Sequence, residues 1–130
     1  MKYLLDTCVV IWSADPGRHF SSTLKKIFED PHNEFAVSAI TAGELACAYS
    51  RKRLELPMHW KPWFHKSLEI NGWQCLPISL EIIEEAYSLP EPFHSDPADR
   101  LIVATARFYN MTVLTGDGKI LDYPHVKAKG

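Results

Sequence analysis

Acidic residues punctuate this chain where short apolar runs end or helical patterns begin. Asp6 closes "YLLD", Glu44 lies in "ITAGELA", Asp96 and Asp99 in "HSDPADRL", and Asp117 in "TGDGK". Four carboxylates from separate segments, Asp6, Glu44, Asp99 and Asp117, brought together at low dielectric would repel one another and raise each other's pKa unless divalent cations sat among them. An all-oxygen set without a Cys pair or closely spaced His points to Mg²⁺ or Mn²⁺ rather than zinc. Such a site can polarise a phosphodiester, acidify a water and steady the leaving oxygen. The chemistry is hydrolysis of a nucleic-acid backbone with no covalent enzyme intermediate.

Each acid also has a plainer role. Asp6 can cap "DTCVVI", but apolar residues on both sides make an ionised carboxylate costly there, which favours chemistry. Glu44 taken alone is a solvated residue near a helix start, favoured by the macrodipole. Asp117 beside glycine suits a tight turn. With Asp96 at an N-cap, Pro97 falls at the first helical position and Asp99 at the third. Asp96 is then explained by capping, whereas Asp99 is one methylene shorter than the usual back-reaching Glu, so chemistry is expected of Asp99. Arg100 can neutralise the acids, touch phosphate, or form a structural salt bridge. His94 is a proton-transfer candidate by type, although a lone loop histidine is ordinarily just solvated. Arg51, Lys52 and Arg53 in "YSRKRLEL" could meet an RNA backbone, or simply finish a helix in solvent.

The elements that must position these residues are legible as periodicities. "KYLLD", "FAVSAI" and "MTVLT" are short apolar runs suited to buried parallel strands, with "WQCLPIS" a weaker fourth. Between them lie the helical patterns "SSTLKKIFED", "ITAGELACAYSRKRL", "SLEIIEEAYSL" and "DPADRLIVATARFYN". Strands alternating with helices predict βαβ units around a parallel sheet covered on both faces, where ligands bind beyond the carboxyl ends of the strands. "LPMHWKPWFHKSLEINGW" is ambiguous, because Pro57 and Pro62 break it while Trp60, Trp63, Phe64 and Leu68 could line an apolar face; the two tryptophans suit core or partner surface better than base stacking.

Composition narrows the class. With 46% hydrophobic and 12% aromatic residues over 130 positions, a single domain spanning 1–130 is expected. No run approaches the roughly eighteen apolar residues of a membrane span, so a cytoplasmic setting with no membrane partner is expected. The formal net charge of −2 offers no global attraction to nucleic acid. Cys8, Cys47 and Cys75 fit neither a disulfide frame nor a zinc spacing and are expected as small core residues.

In their order along the chain, "YLLDTCVVIW", "VSAITAGELA", "LPEPFHSDPADRLIVATA" and "TVLTGDGKILDY" resemble the PIN-domain ribonucleases, in particular the VapC-type toxins of toxin–antitoxin pairs. The resemblance implies a three-layer α/β/α sandwich around a mainly parallel sheet. It implies that Asp6, Glu44, Asp99 and Asp117 are the metal-binding acids, with Asp96 an accompanying residue of the DPxDR form and Thr115 a supporting hydroxyl. The implied activity is Mg²⁺- or Mn²⁺-dependent endoribonuclease on a tRNA, rRNA or mRNA, and the implied partners are a VapB-like antitoxin and a second copy in a homodimer. Asp6, Glu44 and Asp99 are then expected to hold the principal ion, and Asp117 to help a second ion or orient water. Gly43 stands where relatives with the DPxDR form often carry Trp, and the glycines flanking Asp117 predict a flexible closing loop.

Two other classes compete. A non-catalytic PIN-like module would hold RNA or protein without cutting it, although such modules usually lack one of the acids. A phosphatase or response-regulator-like domain on a doubly wound sheet would need an aspartate nucleophile and a lysine near the last strand, for which Lys119 is the nearby candidate.

Overall fold

Tyr3, Leu4 and Leu5 cannot all point the same way in a strand, and their alternation organises the molecule. The computed structural model describes residues 1–130. Strand β1 (Lys2–Leu5) lies at the centre of a five-stranded parallel sheet in the order β3-β2-β1-β4-β5, with β2 Glu34–Ser38, β3 Gln74–Leu76, β4 Thr112–Leu114 and β5 Ala128–Lys129. Helices α1 (Thr7–Trp12), α2 (Pro16–His19), α3 (Ser22–Glu29), α4 (Ala39–Ser50), α5 (Trp60–Asn71), α6 (Leu80–Ala86), α7 (Pro97–Tyr109) and α8 (Gly118–Leu121) complete the chain.

Tyr3 and Leu5, with Val37 and Leu114, face a core shared with Val9, Leu24, Leu45 and Phe64. Leu4, with Ala36 and Val113, faces the opposite core of Ile102, Val103, Ala106 and Ile120. Helix α6 backs α7 through Ile82, Ala86 and Ala104. The result is the expected α/β/α sandwich, with strands apolar on both faces because both are covered. Leu4, Leu5, Val37, Ile102 and Leu114 have no solvent exposure, and burying each such side chain is worth about 2 kcal/mol.

Several elements differ from the sequence reading. The second strand stops at Ser38, whose Oγ accepts from Ile40 N and starts α4, so Ala39 and Ile40 are helical. Helix α5 forms in spite of Pro62, which sits in its first turn where backbone N–H groups lack helical partners. Trp63 is buried there, and Trp60 is half-buried beside His59. Cys47 and Cys75 are exposed and so are not core residues, whereas half-buried Cys8 packs against the first core and turns its thiol toward the buried Asp6 carboxylate. Strand β5 has no apolar signature because it is a two-residue edge pairing with Val113 and Leu114 through its backbone. No helix is long and apolar enough to cross a membrane.

Candidate active site

Parallel strands place their carboxyl ends at one edge. Leaving β1, Asp6 donates its backbone N–H to Leu114 O (2.9 Å), which fixes the end of β1 beside that of β4. Asp6 both caps α1 and belongs to the acidic site: Oδ1 accepts from Thr7 N (2.8 Å), and Oδ2 accepts from Thr115 Oγ1 (2.6 Å). Thr115, fully buried, also accepts from Asp117 N at 2.9 Å. One hydroxyl therefore ties the first acid to the last. Burial pushes the Asp6 carboxyl above its ordinary range, opposed by the Thr115 and Thr7 hydrogen bonds and reinforced by the charge of Asp117.

Glu44 reaches the same edge from the first half of α4. Its Oε1 accepts from Thr7 Oγ1 (2.5 Å), and Thr7 Oγ1 lies 3.0 Å from Thr41 Oγ1. Since Thr7 has one hydroxyl proton and gives it to Glu44, Thr41 is the donor in that pair. Burial raises the Glu44 carboxyl; the Thr7 bond opposes this, and Asp6 and Asp96 add to it.

At the start of α7, Asp96 Oδ1 accepts from Asp99 N at 3.0 Å and Pro97 occupies the first turn. Asp99 is left free to face the other acids. Desolvation, then repulsion from Asp6, Asp96, Asp117 and Glu44, pushes its pKa up to about 7. Asp117 caps α8 through Oδ1, which accepts from Lys119 N at 2.8 Å.

His94 is not a solvated loop residue. Only 23% of its side chain is exposed, and Nε2 lies 3.0 Å from Asp99 Oδ2. This is a close approach without hydrogen-bond geometry, for the same Nε2 is buried and has no hydrogen-bond partner. His94, Asp99 and Asp117 each offer one ligand atom within 4.8 Å of the others. Asp6 and Glu44 lie beside this set, held by the threonines.

Arg100 does not neutralise the acids. Its guanidinium donates to Ala86 O, Phe93 O and His94 O at 2.9–3.1 Å, and to Glu91 Oε1 at 3.2 Å. It is a structural clamp on the loop entering α7. Lys119 is exposed and its ammonium makes no ion pair with the acids, which leaves a response-regulator-like site without its lysine. Nor is the closing loop loose: Asp117 is bonded at both backbone and side chain, and Gly116 is there because a Cβ would stand 2.3 Å from the Trp12 indole. Arg51, Lys52 and Arg53 are exposed, and an open groove along α4 runs from Glu44 past Cys47 and Ala48 to Arg51 and Arg53.

Thr7 and Thr41 were not legible as site residues from their types. Their signal was position: Thr7 follows the first acid, and Thr41 precedes Glu44 by three residues on one helical face. The donor set fits a hard divalent cation. Burial and neighbouring carboxylates raise Asp6, Glu44 and Asp99, opposed only by hydrogen bonds, and a buried imidazole nitrogen lacks a hydrogen-bond partner among them.

Fold and site together define a class: an α/β/α domain with a parallel sheet and a cluster of carboxylates at the carboxyl ends of its strands. The PIN domain family model matches residues 3–126, and the chain belongs to the PIN-domain family. It is 32% identical over 123 residues to Ribonuclease VapC22 of Mycobacterium tuberculosis, covering 94% of this chain and 92% of that protein. Among solved structures it is similar to VapBC2 from Rickettsia felis bound to a promoter DNA fragment, with TM-score 0.69, 19% identity, and 99% and 98% of the two chains covered. A toxin–antitoxin complex from Klebsiella pneumoniae matches with TM-score 0.68 and 19% identity over 98% and 96% of the chains.

Proposed function

We propose that this protein is a Mg²⁺- or Mn²⁺-dependent endoribonuclease and the toxin of a toxin–antitoxin pair, restrained by a VapB-like antitoxin. The observation that carries the reading is geometric: Asp6, Glu44, Asp99 and Asp117 come from separate elements to one end of the sheet, with Thr7 and Thr115 bonded among them and the ligand atoms of Asp99 and Asp117 within 4.8 Å of each other. A site that concentrates negative charge without a cationic side chain is built for a metal cation and, through it, for a phosphodiester. The similarity to VapC22 supports RNA as the substrate, and the likeness to VapBC2 and the Klebsiella complex supports an antitoxin partner. Working as a homodimer in the cytoplasm belongs to the same reading.

Asp6, Glu44, Asp99 and Asp117 would hold the cation. When bound, it would supply an acidified water and a positive charge that offsets the negative charge developing on the phosphoryl oxygens. The chain's own part is orientation. Thr115 and Thr7 fix both oxygens of Asp6, Thr7 fixes Glu44, and the Asp96 cap fixes the backbone of Asp99 at the start of α7. Arg51 and Arg53, along the groove from Glu44, would receive the RNA backbone on one side of the cut.

Purified protein incubated with total RNA and a tRNA pool, with Mg²⁺, Mn²⁺ or EDTA, tests the reading. Metal-dependent cleavage should appear and vanish in Asp6→Asn and Asp99→Asn. RNA bound equally with and without metal, and never cut, would instead mark a binding module.

A further inference from the structure

Among the converging ligand atoms His94 supplies the only nitrogen, and its placement is heavily determined. Arg100, 7% exposed, spends two bonds from Nη1 on the Phe93 and His94 carbonyls, at 3.1 and 2.9 Å. The Phe93 ring is wedged between the imidazole, at 4.6 Å, and Tyr123, at 4.5 Å. A backbone fixed on one side and a ring packed on the other leave the imidazole facing the acids. There Nε2 comes to 3.0 Å from Asp99 Oδ2 and forms no hydrogen bond. An imidazolium–carboxylate pair would direct its N–H at the oxygen. Two ligands of one cation instead direct lone pairs at a third point. For an octahedral ion with bonds of about 2.1 Å, adjacent ligands stand about 3.0 Å apart, √2 times the bond length. The observed separation is that edge.

Resting on the metal-site reading above, we propose that His94 is a direct ligand, through Nε2, of the same divalent cation that Asp99 and Asp117 hold. The centre then has a mixed nitrogen–oxygen donor set. Imidazole suits transition ions better than Mg²⁺, so this residue biases the protein toward Mn²⁺. The clamp of Arg100 acquires a purpose as well: a buried guanidinium holds the loop carbonyls so that a neutral ligand stays at the cation site, while its own charge is directed away from the carboxylates.

The experiment is pulsed electron paramagnetic resonance on tag-free full-length protein loaded with one equivalent of Mn²⁺, read for nitrogen modulation from a coordinated imidazole, with calorimetric titrations of Mn²⁺ and Mg²⁺. Wild type should show the modulation. His94→Gln and His94→Ala should lose it, and Mn²⁺ affinity should fall about tenfold or more, with Mg²⁺ affinity changed far less. The alanine variant removes the oxygen that glutamine could offer in place of the ring. Mn²⁺ bound with no nitrogen signal, or a signal that survives in both variants, overturns the ligand assignment and leaves the acidic metal site standing. Failure of wild type to bind Mn²⁺, or equal binding by Asp99→Asn, overturns the metal-site reading and His94 with it.

Discussion

Replacing Asp99 by Asn should make the metal-free protein more stable while destroying its activity. In the folded chain this carboxyl holds its proton up to about pH 7, against an ordinary value of 3.8, chiefly because it is desolvated and then because Asp6, Asp96, Asp117 and Glu44 repel its charge. Between those two pH values the folded state binds the proton and the unfolded state does not, so stability falls as pH rises through that window and stays low above it. The difference of about three pH units sets a ceiling of about 4 kcal/mol at pH 8, at 1.36 kcal/mol each. Solvent reaches part of this carboxyl and screens the repulsion, which lowers the expected cost to about 1–2 kcal/mol. Asparagine has the same shape and no charge to desolvate. Thermal unfolding in EDTA should therefore show Asp99→Asn higher by about 3–8 °C at pH 8, with the advantage shrinking toward zero near pH 4. Added Mn²⁺ should raise the wild type and leave the variant unmoved. Repeating the pair in a His94→Gln background removes any contribution of the imidazole. A variant less stable than wild type at pH 8, or an advantage independent of pH, would refute the charge-repulsion argument.

Thr115→Val should cost about 1.5–3 kcal/mol in urea unfolding and weaken Mn²⁺ binding, because buried Asp6 Oδ2 and Asp117 N lose their shared hydroxyl; Thr115→Ser should restore most of both. Arg100→Lys should lose about 2–4 kcal/mol by the same measurement, since an ammonium cannot serve the Ala86, Phe93 and His94 carbonyls from one plane; a loss below about 0.5 kcal/mol would mean that the loop is held elsewhere.

The parts of the fold visible in the sequence were those set by periodicity and local capping. The three apolar runs became β1, β2 and β4, and "DPADRL" became a capped helix with Pro97 in its first turn, because strand alternation and N-cap chemistry act over a few residues. β5 was invisible, since two edge residues paired by backbone carry no side-chain code. The acids could be named as candidates because Asp6 follows a strand, Asp96, Asp99 and Asp117 stand at helix starts, and Glu44 lies within the helix that follows a strand. What their spacing could not convey was the second set of groups. Thr7 and Thr41 are ordinary helix residues until two helices cross, and His94 looks solvated until Arg100, six residues on, folds its loop back toward the acids. Gly116 appeared to loosen a turn, yet its missing side chain makes room for Trp12 from another segment. These are tertiary facts, and local pattern has no access to them.

The choice of supporting groups follows from the same electrostatics. A buried carboxylate can be kept ionised by a neighbouring lysine or arginine, or by neutral donors. A fixed cation would satisfy Asp6 and Glu44 permanently and would occupy the field that a metal ion needs. Hydroxyls and backbone N–H groups orient the carboxylates while leaving their net charge uncompensated: Thr115 and Thr7 N serve Asp6, and Thr7 Oγ1 serves Glu44. The protein's buried guanidinium at this end, Arg100, is turned to the loop carbonyls and to Glu91. Desolvation first, and then the mutual repulsion of the acids, raise Asp6, Glu44 and Asp99; under the proposed metal-site reading that unfavourable charge would favour cation binding, and exchanging Thr7 or Thr115 for a lysine that reached the same oxygen would weaken it.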